Sequence, residues 1–449
     1  MAFAGTTSRP ANWGDCYVLL LSGALLGYAL LGKGFAYFGS QPVFIGDMIF
    51  VAGFFTLLWS GCIIATLASL PSFLLAATML WTLVRTLPYI GNYGSEALRD
   101  SVIIIYGGFA FIVVGLLLDD ERRLQTILRY YRTFLGLYVP AIPFLFAASR
   151  YLGDYIPDVP GTDVPLLLIG PGEVPVHLAG AAVFALAGFY KAPRVWIVFL
   201  LIAVAMTSVT TRGGMLAFFI PVVIAMVLLG KTRKLLTVLT VGLMVFAAAY
   251  TIETTFTEGR AAEQNSTREI STRQIVANVQ SIAGHSDPNL EGSRTWRLEW
   301  WKRITDDTIF GPNFWTGRGF GLNLAVADGF GDIRDAAPLR SPHNAHMTIL
   351  ARAGVPGLTL WLGFLAAWLA MILSTMRTAQ RRGETAWAGL FVFVACYAMA
   401  ALINATFDVA LEGPMQGIWF WCLIGLGIGS VMIYRHQTSN SPGRQQVAS

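Results

Sequence analysis

Charge is what this sequence has least of. Of its 449 residues, 13% are Asp, Glu, Lys or Arg and 55% are hydrophobic, and the mean hydropathy is +0.59. A soluble domain carries roughly 25% charged residues. About half that share over this length cannot coat several soluble domains, which excludes a cytosolic enzyme and a disordered chain alike. Cysteine is scarce as well. Cys16, Cys62, Cys396 and Cys422 all lie in apolar stretches, and none belongs to a CxxC pair. That excludes a disulfide scaffold and a thiolate metal site, and leaves small core or lipid-facing residues. The net charge of +5, with a pI near 9.0, is no nucleic-acid signal. It is the balance that positive cytoplasmic loops give a membrane protein.

Long apolar runs are what the sequence has instead. A span needs about 20 mostly apolar residues. Runs of that kind fall near 13–31, 43–67, 71–87, 102–118, 133–149, 165–189, 195–211, 214–229, 235–252, 344–374, 386–406 and 415–434. The expected fold is therefore all-α and integral to the membrane, with about twelve transmembrane helices. Pro165, Pro171 and Pro175 interrupt the sixth run and predict a broken or re-entrant start to it. With the N-terminus inside, fifteen Lys and Arg fall in cytoplasmic segments, including the clusters at 122–132, 231–234 and 377–382. Five, Lys33, Arg85, Arg99, Arg150 and Arg212, fall in short outside loops. This bias sets both termini in the cytoplasm. The first run is too long for a cleavable signal peptide and lacks a small-residue cleavage site.

The chain divides accordingly. Residues 1–252 hold nine spans, 253–342 form one large outside loop, 343–434 hold three spans, and 435–449 are a cytoplasmic tail. A loop of such length is functional or disordered. Its part 259–292 is polar and reads as flexible. In the stretch 293–310, Trp296, Trp300, Trp301 and Ile304 recur at helical spacing and predict an amphipathic helix with its aromatics at the membrane interface. The turn TGRGFG at 316–321 follows no strand and does not read as a nucleotide fingerprint.

The stretch SPHNAHMTILARAGVPG at 341–357 is the most informative. Ser341 suits a helix N-cap and Pro342 the first turn, which puts His343 at the start of the tenth span. A helix N-terminus favours a neutral imidazole, able to accept a proton, and it also attracts anions. The alternative is an interfacial histidine with a structural hydrogen bond. His346, one turn on, reads as packing or support for His343 rather than as half of a metal pair. Arg212, in TTRGG, stands beside Gly213 and Gly214, which permit close approach by a ligand. Arg294 and Arg297 flank the tryptophans. Guanidinium forks match phosphate geometry, so several facing one cavity would make a diphosphate site; snorkelling or pairing with acids such as Glu299 is the competing reading. Arg352 lies inside the tenth span, where a charge needs a partner, with Asp408 or Glu412 as candidates. Asp306, Asp307 and the run Asp119, Asp120, Glu121 invite a metal reading, with a solvated loop as the alternative for the latter three.

These residues resemble a known family. His343, Asn344, nine residues, Gly354, two residues and Gly357 fit the pattern H-[N/S/Q]-x9-G-x-x-G, and Arg294 with Leu298 fits R-x3-L. Both patterns, together with TTRGG, the large loop and the G-x-G-F-G turn, are similar to those of the O-antigen ligase and polymerase superfamily over roughly 205–415. The resemblance implies a GT-C-like inner-membrane glycosyltransferase acting on the periplasmic side without metal or cofactor. It implies a donor glycan on undecaprenyl diphosphate and inversion at the anomeric centre. The acceptor would be lipid A–core for a ligase or another carrier-linked glycan for a polymerase. It implies a base-like role for His343 and diphosphate binding by Arg294 and Arg212; Arg297 and Asn344 are further candidates for diphosphate or substrate binding. Membrane lipids are partners on this reading and nucleic acid is not. One departure is Arg352, which stands where many members carry an acid. A transporter or flippase of lipid-linked sugars is the competing class; it would need charges near the bilayer midplane and no His343. A membrane scaffold whose loop binds a partner is a third.

Overall fold

The computed structural model describes residues 12–234, 288–331 and 339–439, with a few helical positions between 235 and 251. Most of the predicted run at 235–252 and residues 259–287 of the polar stretch 259–292 therefore lie outside the described residues, as does the tail from residue 440, whereas 288–292, expected to be flexible, open a helix.

The described chain is mostly helical. Its main helices are α1 (Trp13–Leu31), α2 (Ile45–Ser60), α3 (Leu70–Thr86), α4 (Ser95–Ile105), α5 (Gly108–Asp119), α6 (Arg122–Tyr151) and α7 (Glu173–Leu186). They continue with α8 (Arg194–Thr210), α9 (Arg212–Leu228), α10 (Pro288–Thr308), α11 (Leu324–Asp328), α12 (Ala345–Arg381), α13 (Thr385–Ala405) and α14 (Pro414–Ser439). One two-stranded hairpin pairs Gly39–Ser40 with Val43–Phe44. Each predicted run other than 235–252 overlaps an apolar helix, that at 102–118 crossing the break between α4 and α5 and that at 165–189 only from Glu173 on. Six of these helices are long and apolar enough to cross a membrane, and the pair α4 and α5, bent by 45° at its break, makes a seventh if it counts as one span. α2, α7, α8 and α9 are apolar but shorter. The chain is a multi-pass, all-α membrane protein.

The core sits around α13 and α14, the two most buried spans. Close packing there depends on small residues, as in other membrane bundles. A Cβ on Gly425 would lie 2.4 Å from the Ala110 carbonyl, so α14 and α5 touch backbone to backbone. Two of the three prolines of the sixth run, Pro165 and Pro171, fall in the non-helical stretch 156–172, and α7 begins at Glu173 with Pro175 in its first turn. The non-helical stretch lies against the end of α1, with the Lys33 N–H donating to the Leu168 carbonyl at 2.8 Å and the Leu168 N–H to the Leu31 carbonyl at 3.0 Å.

A single bend sets the position of the segment that carries His343. α12 is broken at Gly354, whose φ of +71° and ψ of −173° are not helical. Pro356 has no N–H, so the Arg352 carbonyl loses its helical donor. Other segments supply what the break removes. The Arg318 N–H donates to the Ala351 carbonyl (2.8 Å), Gly319 N–H to Arg352 (3.0 Å) and the Trp81 indole to Ala353 (2.9 Å). The orphaned Val355 N–H donates to the Phe314 carbonyl at 2.8 Å. A Cβ on Gly354 would sit 2.7 Å from that same carbonyl, and one on Gly357 would sit 3.2 Å from Trp81. Gly354 thus makes room for the 313–319 turn in the bend, and Gly357 for Ala353 and Trp81.

Candidate active site

The helix after His343 starts later than expected. Asn344, not Ser341, is the N-cap: its carboxamide oxygen accepts from the His346 and Met347 N–H groups at 2.9 and 3.2 Å, and α12 begins at Ala345. The reason is His343 itself, which adopts φ +50°, in the left-handed region. A non-glycine residue there carries strain of order 1 kcal/mol or more and persists when its surroundings fix it. The surroundings do so. Trp301 on α10 donates its indole N–H to the Pro342 carbonyl at 2.8 Å, the Trp296 ring meets the imidazole edge-on at 6.1 Å, and Nδ1 lies 3.6 Å from the Asp408 carboxylate.

His343 opens onto a cavity of about 510 Å³ that gathers most of the predicted set. Arg212, Arg294, Arg297 and His343 line it, with Trp301, Asn404 and Asp408. Asn344 is buried and is not among the lining residues. The walls come from separate elements. Gly172 precedes α7, and Thr210 and Thr211 end α8. Asn404 lies in the last turn of α13, and Phe407 and Asp408 follow it. α10 contributes Arg294, Arg297, Leu298 and Trp301, which recur at i, i+3, i+4 and i+7 and so form one face. The R-x3-L pair therefore reads as two adjacent turns of a cavity-facing stripe. Arg212 is the first residue of α9, capped by Thr211 Oγ1, which accepts from the Gly214 N–H at 2.8 Å. A helix N-terminus disfavours a cation and favours an anion. Guanidinium and helix end here converge on one concave space, which makes an anion their common complement.

Arg297 donates to the Phe407 carbonyl at 3.1 Å and lies 5.5 Å over the Trp296 ring. Its Nε is buried without a partner among the described residues. Burial pulls its pKa below the ordinary arginine value, against the opposing pull of Asp408. Asp408 accepts from the Val409 N–H at 2.8 Å, and Asn404 donates to Gln416 at 2.8 Å. Sequence reasoning missed both as site residues. The legible signal was a polar residue in the last turn of α13, Asn404, followed by an acid, Asp408, in the short connection before the last span. Gly172 makes room for them: a Cβ there would lie 2.7 Å from Asn404 Oδ1 and 2.9 Å from Asp408 Oδ2.

Other expectations are corrected. Gly213 and Gly214 give their space to Phe407 and Pro175, which a Cβ would approach to 2.8 and 2.9 Å, rather than to a ligand alone. The tryptophans of α10 are not all interfacial. Trp300 and Ile304 are fully buried against Leu324, Ala325, Leu350 and Ala351, with Trp296 packed on the same cluster. Arg352 pairs with neither predicted acid. Its guanidinium is buried, lies 2.9 Å from Asp100 on α4, and donates to the Leu322 carbonyl at 3.1 Å. Arg340 joins the same carboxylate at 2.9 Å. Glu412 instead accepts from Thr348 at 2.8 Å; burial raises its pKa, against hydrogen bonds from Thr348 and Ser341 that lower it. His346 accepts from the Trp361 indole at 3.0 Å, in keeping with packing. Asp306 pairs with Lys302, and Asp307 with Arg318. At the far end of α14, Asp119 binds Arg123, Asp120 binds Arg122, and Glu121 accepts from Gln437. Cys396 and Cys422 are buried, Cys16 is exposed, and Cys62 lies between.

The segment that supplies the α8–α9 connection, α10, the glycine turn, His343 and both motif glycines is one continuous block of sequence. Residues 195–362 match the family model for O-antigen ligase. The match supports the O-antigen ligase superfamily, the one that the motifs resemble. Among the residues of the cavity, the O-antigen ligase match covers Arg212, Arg294, Arg297, Trp301 and His343, whereas Gly172, Asn404 and Asp408 lie outside it. No curated protein matches the chain.

Proposed function

We propose that the protein is a glycosyltransferase that moves a glycan from undecaprenyl diphosphate to an acceptor sugar hydroxyl on the periplasmic face of the bacterial inner membrane. The preferred acceptor is lipid A–core. The observation that carries this reading is the convergence of three arginines and His343 on one cavity. In the reaction, the acceptor oxygen attacks the anomeric carbon as the bond to the diphosphate oxygen breaks, and that oxygen leaves with the bonding electrons. His343 takes the hydroxyl proton. Asp408, facing Nδ1, orients the ring and supports the imidazolium, which leaves Nε2 as the acceptor atom. Arg212, Arg294 and Arg297 meet the charge that develops on the diphosphate, preorganised in a site that costs no reorganisation. Displacement by an oxygen on the opposite face inverts the anomeric centre. The residues do this work without calling on any further group.

Purified protein reconstituted with a glycan on undecaprenyl diphosphate, with and without lipid A–core, tests the proposal. Glycosylated lipid A–core is the expected product. Chain growth on the carrier lipid without a second acceptor makes the protein a polymerase instead. Movement of the lipid between leaflets with no product overturns the enzyme reading.

A further inference from the structure

The burial of Trp300 and Ile304 leaves open what touches the lipid beside the cavity. Directly after α10 the chain runs Ile309, Phe310, Gly311, Pro312, Asn313, Phe314, Trp315. Phe310 is 79% exposed and Trp315 70%, although Phe314, packed edge-on against Trp315, sends its carbonyl into the α12 bend. A soluble surface seldom displays two such rings so close together.

The neighbours of this loop fix its level. Arg85, in the last turn of the span α3, donates through Nε to the Thr316 carbonyl at 2.7 Å and lies 5.6 Å over the Tyr89 ring. Below that point α3 displays Leu80, Leu83 and Val84, an exposed apolar stripe of the kind that faces acyl chains. Trp315 adjoins the upper end of that stripe, next to the arginine and tyrosine that mark an interface. α12 gives the same level independently. From the bend at Pro356 to Arg381 it extends about 39 Å at 1.5 Å per residue, somewhat more than the ~30 Å hydrocarbon core. With Arg377 and Arg381 at one end, the bend and the loop docked in it come out near the opposite boundary.

We propose that loop 309–315 is a lipid-inserting wedge, with Phe310 and Trp315 seated at the headgroup and acyl boundary beside α3, and that its partner is the bilayer surface rather than another protein. The wedge then ties the bend in α12, and through it the His343 segment, to a fixed height above the membrane.

The test uses the full chain in nanodiscs of phosphatidylethanolamine and phosphatidylglycerol. A bimane probe is placed at F310C, W315C or, as an aqueous reference on α10, K302C, with Cys16 and Cys62 changed to Ser. A lipid spin-labelled near the top of its acyl chain should quench positions 310 and 315 at least about twofold and leave 302 nearly unchanged, as expected for rings buried at this depth. Aqueous iodide should do the reverse. Iodide quenching at 310 and 315 equal to that at 302 overturns the proposal. So does a probe that neither agent reaches, because the chain itself or a second copy then covers it. Each labelled variant must elute as the parent does, and F310C and W315C are independent, so misfolding of one leaves the other decisive.

Discussion

Two groups of arginines stand within a few turns of each other on the same side of the bundle, and they are built on opposite terms. Arg318 lies 2.7 Å from Asp307 and 2.6 Å from Asp328, and Arg352 lies 2.9 Å from Asp100. Asp328 also accepts from the Trp300 indole at 2.7 Å, and Asp100 from the Gly321 N–H at 3.1 Å. Burial alone would lower the Arg318 pKa, but its two carboxylates more than offset this and hold it above the ordinary value. Arg297, by contrast, hydrogen-bonds a carbonyl and lies over a ring, feels Asp408 only as a nearby charge that does not offset burial, and keeps a buried Nε without a partner among the described residues and a lowered pKa. An arginine in an apolar setting is therefore not a site in itself. What separates a staple from a binding group is whether the protein has already supplied the anion.

Mutation can break that contrast. The largest effect should come from Asp100→Leu, which leaves the buried Arg352 guanidinium unpaired at a cost of about 3–5 kcal/mol. The check is thermal unfolding in detergent, where a Tm close to that of the parent would contradict the staple. His343→Ala should next cost about 10²–10⁴-fold in transfer rate, the usual worth of a positioned base, with unfolding unchanged; turnover at the parental rate would remove the base. Arg297→Lys and Arg212→Lys keep the charge but lose the fork. Each should lower transfer roughly tenfold to a hundredfold, the worth of a charged hydrogen bond, and neither should move the Tm as Asp100→Leu does. Glu412→Gln is the smallest change. Because its folded pKa is raised, the stability it contributes is present below the ordinary glutamate range and is lost as pH rises through the folded value. The variant should keep the Thr348 contact and flatten the fall of Tm with rising pH above that range. An unchanged slope would show that Glu412 is not the titrating group.

Much of this contrast was invisible in the sequence, for a physical reason. Apolar runs report burial along one helix, so the helices could be read off directly apart from their ends. The R-x3-L pair within the stripe Arg294, Arg297, Leu298 and Trp301 is likewise a single-helix property, whereas Arg212, expected in a turn between two spans, is the first residue of α9. Partners across helices leave no such trace. Asp100 and Arg352 belong to α4 and α12, far apart in the chain, and local spacing offered Asp408 and Glu412 instead. The same limit applied to the aromatics of α10. Their period was correct, but only the packing of α11 and the start of α12 decides that Trp300 faces protein while Phe310 and Trp315 do not. His343 shows a third kind of gap, since a left-handed φ in a histidine has no signature in composition.

The bend at Gly354 has a consequence for how the molecule opens. The amides of Arg318, Gly319 and Val355 donate across it, between the glycine turn and α12. None can be released without undocking one from the other. In native-state hydrogen exchange these three should therefore behave as one cooperative unit, exposed together by a single sub-global opening rather than by fraying of a surface loop. The turn would inherit the protection of the helix it repairs.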